Sequence, residues 1–158
     1  MASQLEKQRR RLQRFIRFYP PYIGAGVKVE SISEDFRTIE VSMRLRFWNK
    51  NYVGTHFGGS LYTMCDPFYM LILIHQLGPD YIVWDKAATI RFKRPGRGTV
   101  RARFHISADT VEDIRAQADR EGKVEPQFQV LVTDGDGNVI AEVDKQLYVR
   151  KKQLANSN

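Results

Sequence analysis

The chain has 158 residues, enough for one well-buried domain and too few for two. Its hydrophobic content of 42% and charged content of 27% are those of an ordinary globular protein, which excludes a chain disordered throughout. The formal charge of +7 gathers in two stretches, which points to anionic partners without saying which. Lys7, Arg9, Arg10, Arg11, Arg14 and Arg17 form the first, opposed only by Glu6, and Arg91, Lys93, Arg94, Arg97, Arg101 and Arg103 form the second, which holds no acid.

In chain order, residues 5–18 read as an amphipathic helix on the spacing of Leu5, Leu12, Ile16 and Tyr19, stopped by Pro20-Pro21. The period then changes to two. Val27 to Ser33 is a strand, and Ile39, Val41, Met43, Leu45 and Phe47 alternate with polar residues in the next. After a loop from Asn49 to Phe57, Gly58-Gly59-Ser60 opens a helix reaching about Gln76. Leu61, Met64, Cys65, Phe68, Leu71 and Ile72 give it one apolar face, and Tyr62, Tyr69 and Leu73 give it another, so the helix is buried. Ile82 to Arg94 and Thr99 to Ser107 follow as strands, read as a hairpin turned at Pro95-Gly96-Arg97-Gly98, with Trp84, Ala88, Ile90 and Phe92 on one face. Thr110 to Glu121 reads as a short exposed helix or an ordered loop. Gln127 to Thr133 and Val139 to Arg150 make a last hairpin through Asp134-Gly135-Asp136-Gly137. The expected division is a basic N-terminal helix with its Pro-Pro turn at 1–22, one domain at 23–152 and a frayed tail at 153–158. The fold class is α+β, a curled antiparallel sheet wrapped round one long central helix.

Two features of that helix bear on chemistry. Its N-terminus leaves backbone N–H groups unpaired, and Gly58 and Gly59 let a ligand carbonyl come close to them; a tight turn explains the same pair. Asp66 stands in the middle of a helix read as buried, where desolvation raises a carboxyl pKa and suits a general base; a structural aspartate is the alternative. Pro67 follows it and kinks the helix. Asp66 lies seven residues beyond Gly59, roughly 10 Å along a helix axis, too far for one helix to put both on a single carbonyl. If both serve one substrate, the acid comes from a second subunit.

The stretch from Asn51 through His56 and Gly58-Gly59 to Asp66 resembles the central-helix motif of hotdog-fold acyl-CoA thioesterases, the phenylacetyl-CoA type above all. The runs His56 to Tyr62, Asp66 to Met70 and Tyr81 to Lys86 also look like a bacterial branch of that superfamily. The likeness spans about residues 24–150, with two departures: Phe57 separates His56 from the glycines, and Pro67 follows the acid. It implies a hotdog fold, homodimers or homotetramers, and hydrolysis of an acyl thioester at a subunit boundary. A Gly58 or Gly59 amide would bind the carbonyl oxygen, Asp66 of the second subunit would act as base or nucleophile, and Asn51 and His56 would orient water or substrate. Ser60, Tyr62, Phe68 and Tyr69 would line the acyl site. Arg91 and Lys93, facing Arg101 and Arg103 across the hairpin, would hold the phosphates of coenzyme A, or form a solvated strand face. No cofactor is expected beyond coenzyme A as part of the substrate.

Two other readings stand beside hydrolysis. One is dehydration of a hydroxyacyl thioester, suggested by His56-Phe57, although Asp66 is too near and too short for the glutamate of that motif. The other is a non-catalytic acyl or coenzyme A binding module. His56, His75 and His105 lack metal-ligand spacing, and the only cysteine, Cys65, reads as core packing and excludes an internal disulfide. A calcium loop at Asp134 lacks its closing glutamate. The basic residues are not expected to interleave with exposed aromatics as single-strand nucleic-acid binders need. The N-terminal arginines read as a wet helix face, with contact to anionic lipid as the alternative. The longest apolar run, Phe68 to Leu77, is broken by His75 and Gln76 and is too short to span a bilayer, and a cytoplasmic protein is expected.

Overall fold

The computed structural model describes residues 4–152. The tail at 153–158 lies outside the described residues, as do the side chains of Leu5, Arg9 and Arg17. Helix α1 (Gln4–Arg17) leads into α2 (Pro20–Ala25), then β1 (Val27–Ile32) and β2 (Thr38–Arg44). The central helix follows as α3 (Gly58–Thr63) and α4 (Phe68–Leu77). Then come β3 (Tyr81–Phe92), β4 (Thr99–His105), α5 (Ala108–Glu121), β5 (Lys123–Val124), β6 (Gln127–Thr133) and β7 (Val139–Lys151).

One antiparallel sheet in the order β1-β2-β4-β6-β7-β3, with β5 beside β7, curls round that helix. This is the hotdog architecture. The inward alternation is Ile39, Val41 and Met43 on β2, Val100, Ala102 and Phe104 on β4, Val130 and Val132 on β6, and Ala141, Val143, Leu147 and Val149 on β7. Cross-strand register stacks these into continuous rows, with Ile39 opposite Phe104 and Val130 opposite Val143. Phe68 and Ile72 of α4 fill the hollow, with Phe68 packed between Tyr22 and Phe104.

Four expectations change. The Pro-Pro pair does not merely stop α1: Pro20 starts α2, where its fixed φ suits the first helical position and its missing N–H costs nothing. Residues 95–98 are not a hairpin turn, because β3 pairs only with β7 while β4 pairs with β2 and β6. β3 is therefore an edge strand, and its expected apolar face is largely exposed. The stretch after Ser107 is a full helix whose Val111, Ile114 and Ala118 are buried, with the Ser107 hydroxyl accepting from the Thr110 N–H. The central helix is not merely kinked at Pro67 but broken between Thr63 and Phe68, and the Tyr22 hydroxyl donates to the Asp66 carbonyl at the break.

Candidate active site

The loop before α3 is shaped by two asparagines. Asn49 is buried, accepts from the Arg46 N–H at 2.6 Å and donates to the Ala25 and Arg44 carbonyls at 2.9 Å each. Asn51 accepts from the Thr55 N–H at 2.9 Å and donates to the Thr55 hydroxyl at 2.9 Å. Its amide is therefore committed to closing its own loop. His56 continues the clamp: its N–H donates to the Gly96 carbonyl at 3.0 Å and its ring Nε2 donates to the Gly98 carbonyl at 3.1 Å. A Cβ on Gly96 would meet Ile140 at 3.0 Å and the His56 ring at 3.1 Å, so a side chain there would push on both neighbours by a few tenths of an ångström.

With its proton on Nε2, the His56 ring presents a bare Nδ1 that is buried without a partner. Burial pushes the pKa of this imidazole down, with the Gly98 carbonyl opposing the effect, so the ring is held neutral.

These loops wall a cleft of about 580 Å³ that gathers Asn51, His56, Gly58, Phe92, Lys93 and Arg97. Phe57, at the N-cap of α3, offers no side chain to the free amides that follow it. A Cβ on Gly58 would lie 2.9 Å from the tip of the Phe92 ring, which covers the helix start. A Cβ on Gly59 would meet only the exposed ring of Phe57. Ser60 is buried behind them.

Asp66 does not line this cleft. Its side chain is 42% exposed, so the burial expected from its place in the helix is not observed. It belongs to a separate cluster round Lys145, whose side chain is wholly buried. Lys145 Nζ donates to Asp66 Oδ1 at 2.7 Å and lies 3.1 Å from Asp85 Oδ1 and 3.4 Å from the Tyr62 hydroxyl. The Asp85 contact is an ion pair without hydrogen-bond alignment. Burial is the largest single influence on the Lys145 ammonium and works against its charge, but Asp66 and Asp85 together outweigh it and raise the pKa. Asp85 is the acid that burial pushes up, to about 6, with its contact to Asp66 adding to the rise and Lys145 opposing it.

Neither Lys145 nor Asp85 is singled out by the sequence reading. The signal for Lys145 was present: it occupies the inward phase of Ala141, Val143, Leu147 and Val149, where an unpartnered lysine is costly.

The remaining expected contacts disperse. Phe68 and Tyr69 are buried in the core, where the Tyr69 hydroxyl donates to the Gln129 carbonyl at 2.7 Å. Tyr62 is half-buried beside Lys145. Arg91 and Lys93 do not face Arg101 and Arg103, since β3 and β4 are far apart in the sheet order. Arg91 pairs with Asp144 at 2.6 Å and Glu142 at 3.3 Å, and Lys93 with Glu142 at 3.1 Å. Arg103 lies 3.6 Å from Glu40 on the outer sheet face. The acids of β7 thus replace the anion expected there. Arg97, exposed at the cleft, has no ion-pair partner among the described residues. Cys65 is buried and its thiol is pushed up to about 12 by desolvation, which leaves it unreactive. No group of three or more metal-ligating side chains gathers among the described residues. The Asp134 carboxylate instead accepts the Asp136 and Asn138 N–H groups in the β6–β7 turn.

Three solved structures share the fold. A protein of unknown function from Pseudomonas aeruginosa, described as a probable thioesterase, superposes with a TM-score of 0.80 at 20% identity over 90% of this chain and 95% of its own. A thioesterase from Haemophilus influenzae gives 0.66 at 14% identity over 99% and 96%. A point mutant of the phenylacetic acid degradation protein PaaI from Thermus thermophilus gives 0.55 at 21% identity over 82% and 97%. No curated protein matches the sequence. Residues 8–149 match the family model described as Domain of unknown function (DUF4442), and the chain belongs to that family.

Proposed function

We infer that the chain hydrolyses an acyl-CoA thioester in the cleft at Gly58, with Asp66 supplied by a second copy. The observation that carries this reading is the placement of Asp66: a part-exposed carboxylate tethered to a wholly buried lysine, beside an edge strand with a free side. β3 is 12 residues long and pairs on one side only among the described residues. A long unpaired edge is a template for another strand, and Asp66 and the edge residue Asp85 share Lys145. Pairing of two copies along β3 brings the acid of one toward the cleft of the other. Exposed Val53 and Phe92 line that cleft and give a second copy apolar surface to cover.

In this reading the Gly58 amide donates to the thioester oxygen as charge builds there. Asp66 takes a proton from water, the oxygen of that water bonds to the carbonyl carbon, and the carbon–sulfur bond breaks. Asp66 returns the same proton to the departing coenzyme A sulfur, and the acyl group leaves as a carboxylic acid. Asn51 and the His56 Nε2 hold the cleft loops through backbone and loop contacts, and only the His56 Nδ1 is left without a partner. In this reading Arg97, at the cleft and without an ion-pair partner among the described residues, takes over from Arg101 and Arg103 as the cation that meets coenzyme A phosphates.

One observation favours a binding module instead: Lys145 Nζ already donates to Asp66 Oδ1 at 2.7 Å, so that oxygen is engaged inside the chain. The deciding experiment follows free thiol from short, long and aromatic acyl-CoAs with wild type and Asp66→Asn. Thiol release that collapses in a folded Asp66→Asn variant supports hydrolysis. Coenzyme A binding with no release from any substrate overturns hydrolysis and leaves the binding module.

A further inference from the structure

Helix α1 carries two faces. Ile16 is buried and Leu12 half-buried against the domain. On the opposite side, Lys7, Arg11, Arg14, Phe15 and Phe18 recur at intervals of three and four residues, so they share one stripe. Phe15 is 62% exposed and Phe18 68%, and Tyr19 and Ile23 extend the apolar ridge into α2. The cations and aromatics together line a shallow groove at this corner. Phe15 and Tyr19 stack with ring centroids 5.5 Å apart, which holds the ridge as one surface. Glu6 is the only acid on the helix, and it meets Arg10 at 2.6 Å. The other outer helix, α5, shows a different surface: Asp109, Glu112, Asp113, Arg120 and Glu121 are exposed there with no aromatic among them.

Two large aromatics more than half exposed beside cations form a contiguous apolar ridge, the kind of patch that a partner both apolar and anionic covers. A solvated charged helix needs no aromatics on its wet face. A polyanion without an apolar layer satisfies the arginines and leaves Phe15 and Phe18 exposed. A bilayer with acidic headgroups satisfies both, because the rings enter the acyl boundary while the arginines lie at headgroup level. No helix of the described residues is long and apolar enough to cross a membrane, so the contact is peripheral.

We propose that the α1–α2 corner, through Phe15, Phe18, Lys7, Arg11 and Arg14, docks the protein onto anionic lipid surfaces. This holds whether or not the cleft hydrolyses thioesters.

The test is co-sedimentation of the full chain with phosphatidylcholine vesicles, with and without about one-third phosphatidylglycerol. Wild type pellets with the anionic vesicles only, and added salt weakens the binding. Phe15→Ser with Phe18→Ser, and separately Arg11→Glu with Arg14→Glu, each weaken binding by about tenfold or more. Circular dichroism and size-exclusion chromatography confirm that both variants remain folded. No pelleting of the folded wild type overturns the proposal. So does loss in the arginine pair alone, which marks a general polyanion site. A smaller assembly in either variant also overturns it, because the face then joins copies of the chain.

Discussion

Lys145 Nζ lies 2.7 Å from Asp66 Oδ1, joining the inward row of β7 to the break in the central helix. The lysine is sealed and the aspartate reaches solvent. The pair therefore fixes where Asp66 points without burying it. Asp85 completes the cluster from the edge strand, so one cation ties the helix break, the sheet interior and the free edge together.

Lys145→Met keeps the length of the side chain and removes its charge, leaving Asp66 and Asp85 close together. Loss of one partner from a buried ion pair is strongly destabilising. Because Asp66 is part-exposed, the cost is discounted to about 1–3 kcal/mol at pH 8. Without the cation, Asp85 loses the attraction that opposes its rise, so its carboxyl goes up further in the folded state. The mutant therefore recovers part of its deficit at lower pH, where the folded state binds a proton on Asp85 that the unfolded state does not. Urea midpoints at pH 5 and pH 8 measure both values. An equal deficit at the two pH values means that lost packing, rather than charge, is the cause.

Asp85 predicts a pH window in the wild type. Its folded pKa of about 6 lies above the value of about 3.9 for a free aspartate. The folded state therefore binds the extra proton, and the stability it contributes is full below about pH 4 and lost as pH rises through about 6. Asp85→Asn removes this slope. The difference in unfolding free energy between Asp85→Asn and wild type grows from pH 4 to pH 7 and then levels. A constant difference across that range refutes the assignment.

At Gly58 the predicted effect separates activity from stability. An added Cβ meets Phe92, whose exposed ring has room to swing away, and alanine is the better helix former by about 1 kcal/mol. Gly58→Ala thus changes stability by no more than about 1 kcal/mol. If the Gly58 amide meets the thioester oxygen as proposed, the added methyl group stands in its path, and thiol release falls by about a hundredfold. Gly59→Ala, opposed only by the exposed Phe57 ring, loses far less. Equal losses at both positions would show that the Gly58 amide has no special place.

The fold was legible because most of its strands alternate cleanly: Ile39, Val41 and Met43 announce both the strand and its dry face. Edge strands carry no such signal, and β3 was mispaired because Pro95-Gly96-Arg97-Gly98 has hairpin composition. Its true role is to meet His56 through the Gly96 and Gly98 carbonyls, a contact 40 residues distant in sequence or more. The glycine pair and Asp66 were singled out by local rules on helix starts and on carboxylates in apolar helices, although Asp66 is part-exposed where that rule expects burial. Lys145 and Asp85 depend on the pairing of β7 with β3, and the register that brings them together is not written in either segment alone.

Arg97 and Arg103 distinguish the two anion sites. The sequence suggested a cationic strand face through Arg101 and Arg103, but Arg103 meets Glu40 on the outer face of the sheet, away from the cleft. Arg97 is exposed beside the cleft with no acid to neutralise it among the described residues. In a protein that releases thiol from acyl-CoA, Arg97→Ala raises KM by about fivefold to tenfold, the size of one charge-assisted phosphate contact at a wet surface, and leaves kcat near its wild-type value. Arg103→Ala leaves both unchanged. Shortening the substrate to an acyl-pantetheine, which lacks the nucleotide phosphates, abolishes the difference between wild type and Arg97→Ala. If Arg103→Ala raises KM and Arg97→Ala does not, the coenzyme runs along the outer sheet face and the cleft holds only the acyl end.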